Sequence, residues 1–407
     1  MAENNLYSRF EDELKELKTD NQYRHLKTIH SRIDKFVKYN NKKCINLSSN
    51  DYLGLATDEK YISDFYAQLN SKNMIDSFGP GSTSSRLLSG NYALYSELED
   101  VISGMYNSAN KTTGTVQLTK KHALVFNSGY HANIGIISTL SDKNSLILSD
   151  SLNHASIIDG TRLSRCDYLS YEHFNYGQLT AILEERRDKY NTVIIISESV
   201  FSMDGDVADI KKLVEIKNKY KTLLYIDEAH AAGLFGKTGL GICEQENAIN
   251  DVDVIIGTFG KAFASQGAYA VTNSILNEYL VNKTRTLLYT TALPPVVVNW
   301  NIYTFKNISA FNEKRNKLQN TAKMLRSSLK DKGISTAGDS QIVPAIIGDK
   351  TKTIKLAEKL QENGFLLFPI RPPTVPQGTS RIRISLTANI DWEDIKAVPC
   401  LLSNNNV

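Results

Sequence analysis

The sequence predicts an α/β fold, with a mostly parallel central sheet flanked by helices and a smaller C-terminal α+β domain. Short β-rich apolar runs alternate with segments in which apolar residues recur at intervals of three and four, which is typical of successive βαβ units. The chain has 407 residues, a length beyond which a single hydrophobic core usually divides. A break at Leu293-Pro294-Pro295 separates the alternating part from a long helical segment. The boundary between the two domains is therefore predicted at 292–293.

The individual elements follow from the same patterns. Strands of the central sheet are predicted at 123–126, 146–148, 193–197, 223–226, 254–256 and 268–271, and crossover helices at 176–190 and 209–220. The second domain, 293–407, is predicted to be helical up to residue 332 and to continue with strands at 342–347, 365–368 and 381–386. Residues 1–45 are predicted to form an N-terminal helical arm, which leaves 46–292 as the large domain.

Composition restricts the classes of function. Lysine and arginine total 47 against 44 aspartates and glutamates, a formal net charge of +3. Without a basic block, we expect neither nucleic acid nor a membrane surface as partner. The four cysteines show no pair spacing, which argues against a zinc site and against a disulfide framework. Residues 1–17 lack an apolar stretch of signal-peptide or membrane-span type, so a cytoplasmic location is predicted.

Lys261 is the first candidate catalytic residue. It lies in a turn of small residues directly after the apolar run 252–256. Burial lowers the pKa of a lysine amine and makes the amine nucleophilic, which is the property of a lysine that forms a Schiff base.

Asp227 and His230 are the next candidates, because an apolar strand delivers Asp227 to its C-terminal end and His230 follows three residues later. A carboxylate in this position can pair with a protonated pyridine nitrogen. The tetrapeptide Asp-Glu-Ala-His at 227–230 also occurs in ATP-driven helicases. That alternative requires an upstream glycine-rich phosphate loop ending in Gly-Lys-Thr, and the sequence has none.

Further candidates follow other predicted strands. Gly129 stands where a strand passes into a helix, so backbone N–H groups there could bind a phosphate. His154 follows the strand 146–148 and could stack on a flat ring and move protons. Ser202 and Thr258 add hydroxyl groups after two more strands. Since the C-terminal ends of parallel strands meet at one edge, the set predicts a pyridoxal phosphate site.

In four of its motifs the chain resembles a known family, the α-oxoamine synthases among the fold-type I pyridoxal phosphate enzymes. The matching motifs are SSNDYLGL (48–55), SVFSMDGD (199–206), DEAH (227–230) and TFGK (258–261). The resemblance extends from about residue 24 to residue 392.

The resemblance implies roles for individual residues. Lys261 would form the Schiff base, Asp227 would pair with the pyridinium nitrogen, and His154 would stack on the ring. Contacts to the remaining cofactor atoms and to substrate are implied for Gly129, Tyr130 and Thr258 (phosphate), Ser202 and His230 (ring hydroxyl), Arg383 (amino-acid carboxylate), and Arg24, Asn50 and Thr374 (substrate).

Two further motifs, IRPPTVP (370–376) and GTSRIR (378–383), are similar to the branch of the family that condenses L-alanine with a pimeloyl thioester. The resemblance thus implies a pyridoxal phosphate-dependent acyltransferase. It also implies a homodimer with shared active sites, in which 290–295 reaches the neighbour's phosphate. Coenzyme A and acyl carrier protein both remain open as thioester carriers. A sibling glycine C-acyltransferase is the alternative enzyme, and a small-molecule binder without catalysis is a third possibility.

Two features depart from the family pattern. The segment 107–122 is longer than the usual connection between helix and strand, and it is predicted to be an exposed polar hairpin or loop. Ala264-Ser265-Gln266 stands where many relatives have glycine, which could alter packing near the acyl entrance.

Overall fold

The computed structural model describes residues 6–20, 22–109 and 119–403. Its strands are β1 (Ser31–Ile33), β2 (Phe36–Tyr39), β3 (Lys42–Asn46), β4 (Lys121–Phe126), β5 (Ser145–Asp150), β6 (Asp167–Tyr171), β7 (Thr192–Glu198), β8 (Leu223–Asp227), β9 (Val254–Thr258), β10 (Ala268–Asn273), β11 (Ile342–Gly348), β12 (Phe365–Leu366), β13 (Pro369–Ile370) and β14 (Ser380–Ser385). Its helices are α1 (Ser8–Thr19), α2 (Glu59–Tyr66), α3 (Ala93–Ala109), α4 (Gly129–Leu140), α5 (Ala155–Ser164), α6 (Tyr176–Arg186), α7 (Ile210–Tyr220), α8 (Ile242–Gln245), α9 (Ser274–Lys283), α10 (Arg285–Leu288), α11 (Pro295–Asn307), α12 (Asn312–Asp331), α13 (Lys350–Glu362), α14 (Trp392–Ile395) and α15 (Val398–Leu402).

The central sheet has the strand order β4-β10-β9-β8-β7-β5-β6. Neighbouring strands from β9 to β6 are parallel, and β10 runs antiparallel to both β4 and β9. The predicted mostly parallel sheet is therefore present. β6 was not predicted, because it is an edge strand whose residues are mostly exposed and so lack an apolar run.

Both faces of this sheet are buried, which explains why its strands are continuously apolar. On one face Ile194 and Ile196 pack with Ile136 of α4 and Ile157 of α5. On the other face the alternate residues of the same strands pack with α3, α6 and α7; they include Val193, Ile195, Leu98, Leu179 and Leu213. Helix packing on both faces of the sheet thus fixes where its strands end in space.

The N-terminal arm differs from the prediction. Only α1 is helical, and β1, β2 and β3 follow it as two hairpins. Asp34, Asn40 and Asn41 have positive φ angles of 50°, 46° and 60° in the two turns. Asparagine and aspartate tolerate this conformation better than other residues, so short polar turns here were the missed signal of hairpins.

The C-terminal domain contains the three-stranded sheet β11-β14-β13, and β12 joins β1-β2-β3 in a four-stranded sheet. The strand predicted at 365–368 is present only over its first two residues, as β12, and β13 follows directly after the predicted range in a different sheet. Each of these strands has only two residues. β12 pairs with β3, and β13 pairs with β14. The pairing of β12 with β3 joins the C-terminal domain to the N-terminal arm. The domain limits at 45–46 and 292–293 remain predictions.

Most of the segment 107–122 lies outside the described residues. Only its ends are described: 107–109 at the end of α3, and 119–122, of which Lys121 and His122 begin β4. Within the described ranges, none of the helices is both long enough and apolar enough to span a membrane.

His173 connects two loops near the carboxyl ends of the strands. Its Nδ1 lies 2.9 Å from Asp150 Oδ1 and its Nε2 lies 2.7 Å from Asp206 Oδ2. Burial lowers the pKa of His173, but the hydrogen bonds and charges of Asp150 and Asp206 outweigh it and raise the pKa to about 9. The imidazolium therefore holds the 199–206 loop against the end of β5.

Replacing Gly257 with alanine should destabilise the protein, because a Cβ atom at this position would overlap the ring of the fully buried Tyr269. Overpacking of this kind costs about 1–3 kcal/mol. Urea unfolding should show a lower midpoint for Gly257→Ala. The control is Gly104→Ala in α3, where nothing lies within 4 Å and alanine should stabilise the helix by about 0.5–1 kcal/mol. Equal stability of the Gly257 variant and the wild type would contradict the packing described.

The His173 contacts should stabilise the fold in a pH-dependent manner. The folded-state pKa of about 9 lies above the ordinary value of 6.5, so the stabilisation is complete below pH 6.5 and is lost as pH rises through 9. The difference in unfolding free energy between wild type and His173→Gln should therefore shrink from pH 6.5 to pH 9.5. A difference that stays constant over this range would show that His173 is not charged.

Candidate active site

Asp227 is the last residue of β8 and is buried, with 4% of its surface exposed. Its Oδ2 accepts a hydrogen bond of 2.7 Å from Asn133 Nδ2, and its Oδ1 accepts one of 2.8 Å from the backbone N–H of Ala229. Both oxygens thus have a donor, which stabilises the ionised carboxylate.

Asn133 connects Asp227 to His154. Its Oδ1 accepts a hydrogen bond from the Tyr225 hydroxyl at 2.6 Å, and its Nδ2 also donates to Ser156 Oγ at 2.9 Å. Ser156 Oγ in turn lies 2.7 Å from His154 Nδ1. Because a carboxylate only accepts hydrogen bonds, Asn133 must direct its N–H groups at Asp227 and Ser156, which leaves its oxygen to accept from Tyr225.

His154 is the N-cap residue of α5. Its Nδ1 accepts the backbone N–H of Ser156 at 3.2 Å. Since that nitrogen is an acceptor, a neutral His154 carries its proton on Nε2. Burial lowers the pKa of His154, the Asp227 charge raises it and the Lys261 charge lowers it, with a net decrease. His154 is therefore a neutral ring with one N–H donor near physiological pH.

Lys261 lies in the turn after β9, as predicted, and is half-buried. Burial lowers its pKa to about 8, although the carboxyl groups of Asp227 and Glu198 act in the opposite direction. Arg383 lowers the pKa further through its positive charge. A substantial fraction of the amine is thus unprotonated slightly above neutral pH.

Gly129 and Tyr130 begin α4, and Ser128 caps this helix by accepting the backbone N–H of His131. The first N–H groups of a helix have no partner within it and favour an anion. An alanine Cβ at Gly129 would meet only Thr258, at 3.9 Å, so the space in front of the helix is open. The Thr258 hydroxyl borders the same space and accepts the N–H of Gly260 at 3.2 Å.

The C-terminal domain contributes Arg383 from β14. Arg383 Nε donates to the carbonyl oxygen of Ser202, and Nη2 lies 3.3 Å from Asn50 Oδ1 and 3.4 Å from the Tyr52 hydroxyl. The same hydroxyl lies 2.6 Å from His230 Nδ1. Burial lowers the pKa of His230 well below its ordinary value, and the charges of Lys261, Arg383 and His154 lower it further. Arg383, Asn50, Ser202 and His230 therefore form one continuous group.

Arg24 and Thr374 are brought together, with Arg24 Nη2 3.5 Å from Thr374 Oγ1. Both residues are exposed. The structure thus places the two predicted substrate contacts beside each other. Among the hydrogen bonds and ion pairs of the described residues, none joins this pair to Lys261 or Arg383.

A cavity of about 500 Å³ opens on Lys261. Asn50, Ala264, Ser265, Arg32 and Trp300 are among its lining residues. Ala264 has a φ of 51°, a left-handed conformation that favours glycine. Ala264 forms part of the cavity wall.

Four residues of this region were not predicted from the sequence: Asn133, Ser156, Tyr52 and Glu198. Asn133 lies one helical turn after Gly129 and so faces the same side of α4, which was an available signal. Glu198 was also detectable, because it follows an apolar strand just as Asp227 does. Tyr52 and Ser156 carried no comparable signal.

Comparisons with known proteins identify the family of the chain. Residues 42–398 match the family model described as aminotransferase class I and II. An 8-amino-7-oxononanoate synthase from Chlorobaculum parvum is 43% identical over 386 residues, which cover 95% of each protein. Among solved structures, Sphingomonas wittichii serine palmitoyltransferase has a TM-score of 0.85 and 29% identity, covering 98% of this chain and 97% of that one.

A second solved structure is a serine palmitoyltransferase from S. paucimobilis with a bound PLP–myriocin aldimine. It has a TM-score of 0.82 and 27% identity, and the match covers 97% of this chain and 96% of that one. These similarities confirm the predicted fold-type I architecture. With a family match over most of its length and a relative 43% identical across nearly all of it, this chain belongs to the aminotransferase class I and II family.

Proposed function

We propose that this chain is an 8-amino-7-oxononanoate synthase of biotin biosynthesis. It would condense L-alanine with a pimeloyl thioester, releasing carbon dioxide and the free thiol. The observation that carries the proposal is the convergence of Lys261, Asp227 and His154 at one edge of the sheet, in a chain 43% identical to a relative of that name. The thioester carrier, coenzyme A or acyl carrier protein, stays open.

Pyridoxal phosphate is the cofactor that the family and the solved relatives indicate, and the residues of this chain fit it. Lys261 provides an amine with a pKa of about 8, Asp227 a doubly hydrogen-bonded carboxylate, and Gly129 an open helix start. When bound, the cofactor supplies a cationic ring that stabilises negative charge on the amino-acid α carbon.

The proposed roles follow from the chemistry of each side chain. Lys261 would hold the cofactor aldehyde and later, as a free amine, remove the α proton of alanine. Asp227 would pair with the ring nitrogen and keep that nitrogen protonated, and the hydrogen bonds from Asn133 and Ala229 hold its carboxyl group in place for this role.

His154 would stack on the ring and donate its Nε2 proton to the oxygen of the thioester carbonyl as that oxygen gains charge. The hydrogen bond from the Ser156 N–H to Nδ1 supports this role, since it leaves the proton on Nε2. Phosphate binding is proposed for the N–H groups of Gly129 and Tyr130 with the Thr258 hydroxyl, and contact with the ring hydroxyl for Ser202 and His230.

Substrate binding is proposed for Arg383, Asn50, Arg24 and Thr374. Arg383 already contacts Asn50 and Ser202, so its guanidinium is fixed in orientation and can bind the alanine carboxylate. Held in this way, the carboxylate orients the α C–H bond for proton removal. Arg24 and Thr374 would also contact the substrate.

A homodimer with shared sites is also proposed. Thr291 pairs with Ser85 in an isolated antiparallel β-bridge, and the Ser82 hydroxyl donates to the carbonyl oxygen of Ala292 at 2.6 Å. The segment 290–295 therefore packs along the segment before α3. This region exposes large apolar side chains, with Leu88 79% and Tyr289 66% exposed. Apolar surface of this kind is typical of a protein interface. We further propose a cytoplasmic location.

The function is tested by thiol release from pimeloyl-coenzyme A with L-alanine, glycine or L-serine as co-substrate. We expect L-alanine to give the highest kcat/KM and mass spectrometry to identify 8-amino-7-oxononanoate. Lys261→Ala should lower kcat by at least about a thousandfold, because nucleophile and base are both removed. Preference for glycine would favour the sibling glycine C-acyltransferase, and near-normal turnover by Lys261→Ala would contradict the site.

Replacing Arg383 with glutamine should raise the KM for L-alanine about 10–100-fold, because a charge-assisted hydrogen bond to a carboxylate contributes about 1.5–3 kcal/mol. Arg383→Lys keeps the charge but loses the planar fork, so its KM should be intermediate. The KM for the thioester should change little in both variants. An unchanged KM for alanine would remove Arg383 from the proposed carboxylate site.

A further inference from the structure

Glu198 is a second carboxyl group beside Asp227. It is the last residue of β7, and it is the direct partner of Asp227 in the parallel pairing of β7 with β8. Residues in register on adjacent parallel strands project to the same face, with strands about 4.8 Å apart. Both side chains are buried, with 3% and 4% exposed. Two carboxyl groups therefore share one low-dielectric site.

The two carboxyl groups differ in their hydrogen-bond donors. Both oxygens of Asp227 accept hydrogen bonds, from Asn133 and Ala229. Glu198 Oε1 is buried and has no hydrogen-bond partner among the described residues. An unpartnered charged oxygen in the interior is costly, whereas a protonated one avoids most of that cost. If the pair holds one proton, the donor arrangement assigns it to Glu198.

Three charged side chains act on Glu198: Asp227 of β8, Asp150 of β5 and Lys261 after β9. The backbone N–H of His154, at the N-terminus of α5, also donates to the Glu198 carboxyl group. Burial raises the pKa of Glu198 well above its ordinary value, and the Asp227 charge raises it further. Lys261 and the His154 N–H lower the pKa in part, and Asp150 raises it.

We propose that Glu198 is a positioning residue that stays protonated beside Asp227, so that Asp227 is the ionised carboxyl of the pair. This proposal deepens the proposed function and rests on it for the roles of Asp227 and Lys261. A neutral Glu198 leaves Asp227 free of a like charge, which keeps Asp227 anionic for a pyridinium nitrogen.

The neutral state also affects Lys261. The Glu198 carboxyl, when ionised, raises the pKa of the Lys261 amine. A second full negative charge would therefore convert more of the amine to ammonium, which is neither nucleophile nor base. With its proton in place, Glu198 allows Lys261 to remain reactive while one carboxylate balances the charge of the site.

Infrared spectroscopy of the full-length protein tests the proposal. A protonated carboxyl group has a C=O stretching band that carboxylates lack, and the band shifts in D₂O. We expect this band at pH 8 in the wild type and its loss in Glu198→Gln. The matched control is Glu244→Gln, since Glu244 is buried but accepts hydrogen bonds from Thr238 and Leu240, and this variant should keep the band.

A second variant tests the coupling without altering Glu198. Asp227→Asn removes the adjacent charge, so the pH at which the band disappears should fall by about one unit or more. A wild type without the band at pH 8, a band that survives Glu198→Gln, or a midpoint unaffected by Asp227→Asn would each overturn the proposal. A merely structural Glu198 would not produce a midpoint that depends on Asp227.

These measurements separate the two proposals. The band depends on the protein's own carboxyl groups and not on any substrate, so it can be present even if thiol release with L-alanine fails. Conversely, turnover with L-alanine together with an ionised Glu198 would leave the proposed function intact and remove only this inference.

Discussion

The site depends on two opposite charges at the carboxyl edge of the central sheet, the half-buried Lys261 and the buried Asp227. Burial lowers the pKa of Lys261 to about 8 while the Asp227 charge opposes that decrease. The amine is consequently balanced between a charged and a reactive form. The apolar packing on both sides of β7, β8 and β9 creates this condition, because it excludes water from the strands that end at the site.

The polar network around Asp227 extends this constraint through helices on one face of the sheet. Asn133 of α4 and Ser156 of α5 connect the carboxylate to His154, and Tyr225 of β8 orients the Asn133 amide. The helices that cover the core on this face thus also fix the tautomer of His154. Packing and chemistry are determined by the same contacts here, so a change in helix position would alter both.

The C-terminal domain completes the site from the opposite side. Arg383 of β14 contacts the loop that carries Ser202, while Gln341 donates to the carbonyl oxygen of His230 at 2.9 Å. Arg381 forms an ion pair with Asp204 in that same loop, and His173 holds Asp206. The 199–206 loop is therefore held both by the large domain and by the C-terminal domain.

The sequence by itself determined which reactive residues follow the strands: Lys261, Asp227 and His154 were found because each stands after an apolar run and such runs end at one edge of a parallel sheet. It also predicted most strands of that sheet, yet it missed the hairpins at 31–46, whose only signals are short polar turns, and the edge strand β6. Only the tertiary structure decided that Asn133 donates to Asp227, that Arg24 meets Thr374, and that Glu198 Oε1 has no hydrogen-bond partner among the described residues. These facts depend on distances between segments far apart in the chain, and on the burial that sets each pKa, which no local pattern records.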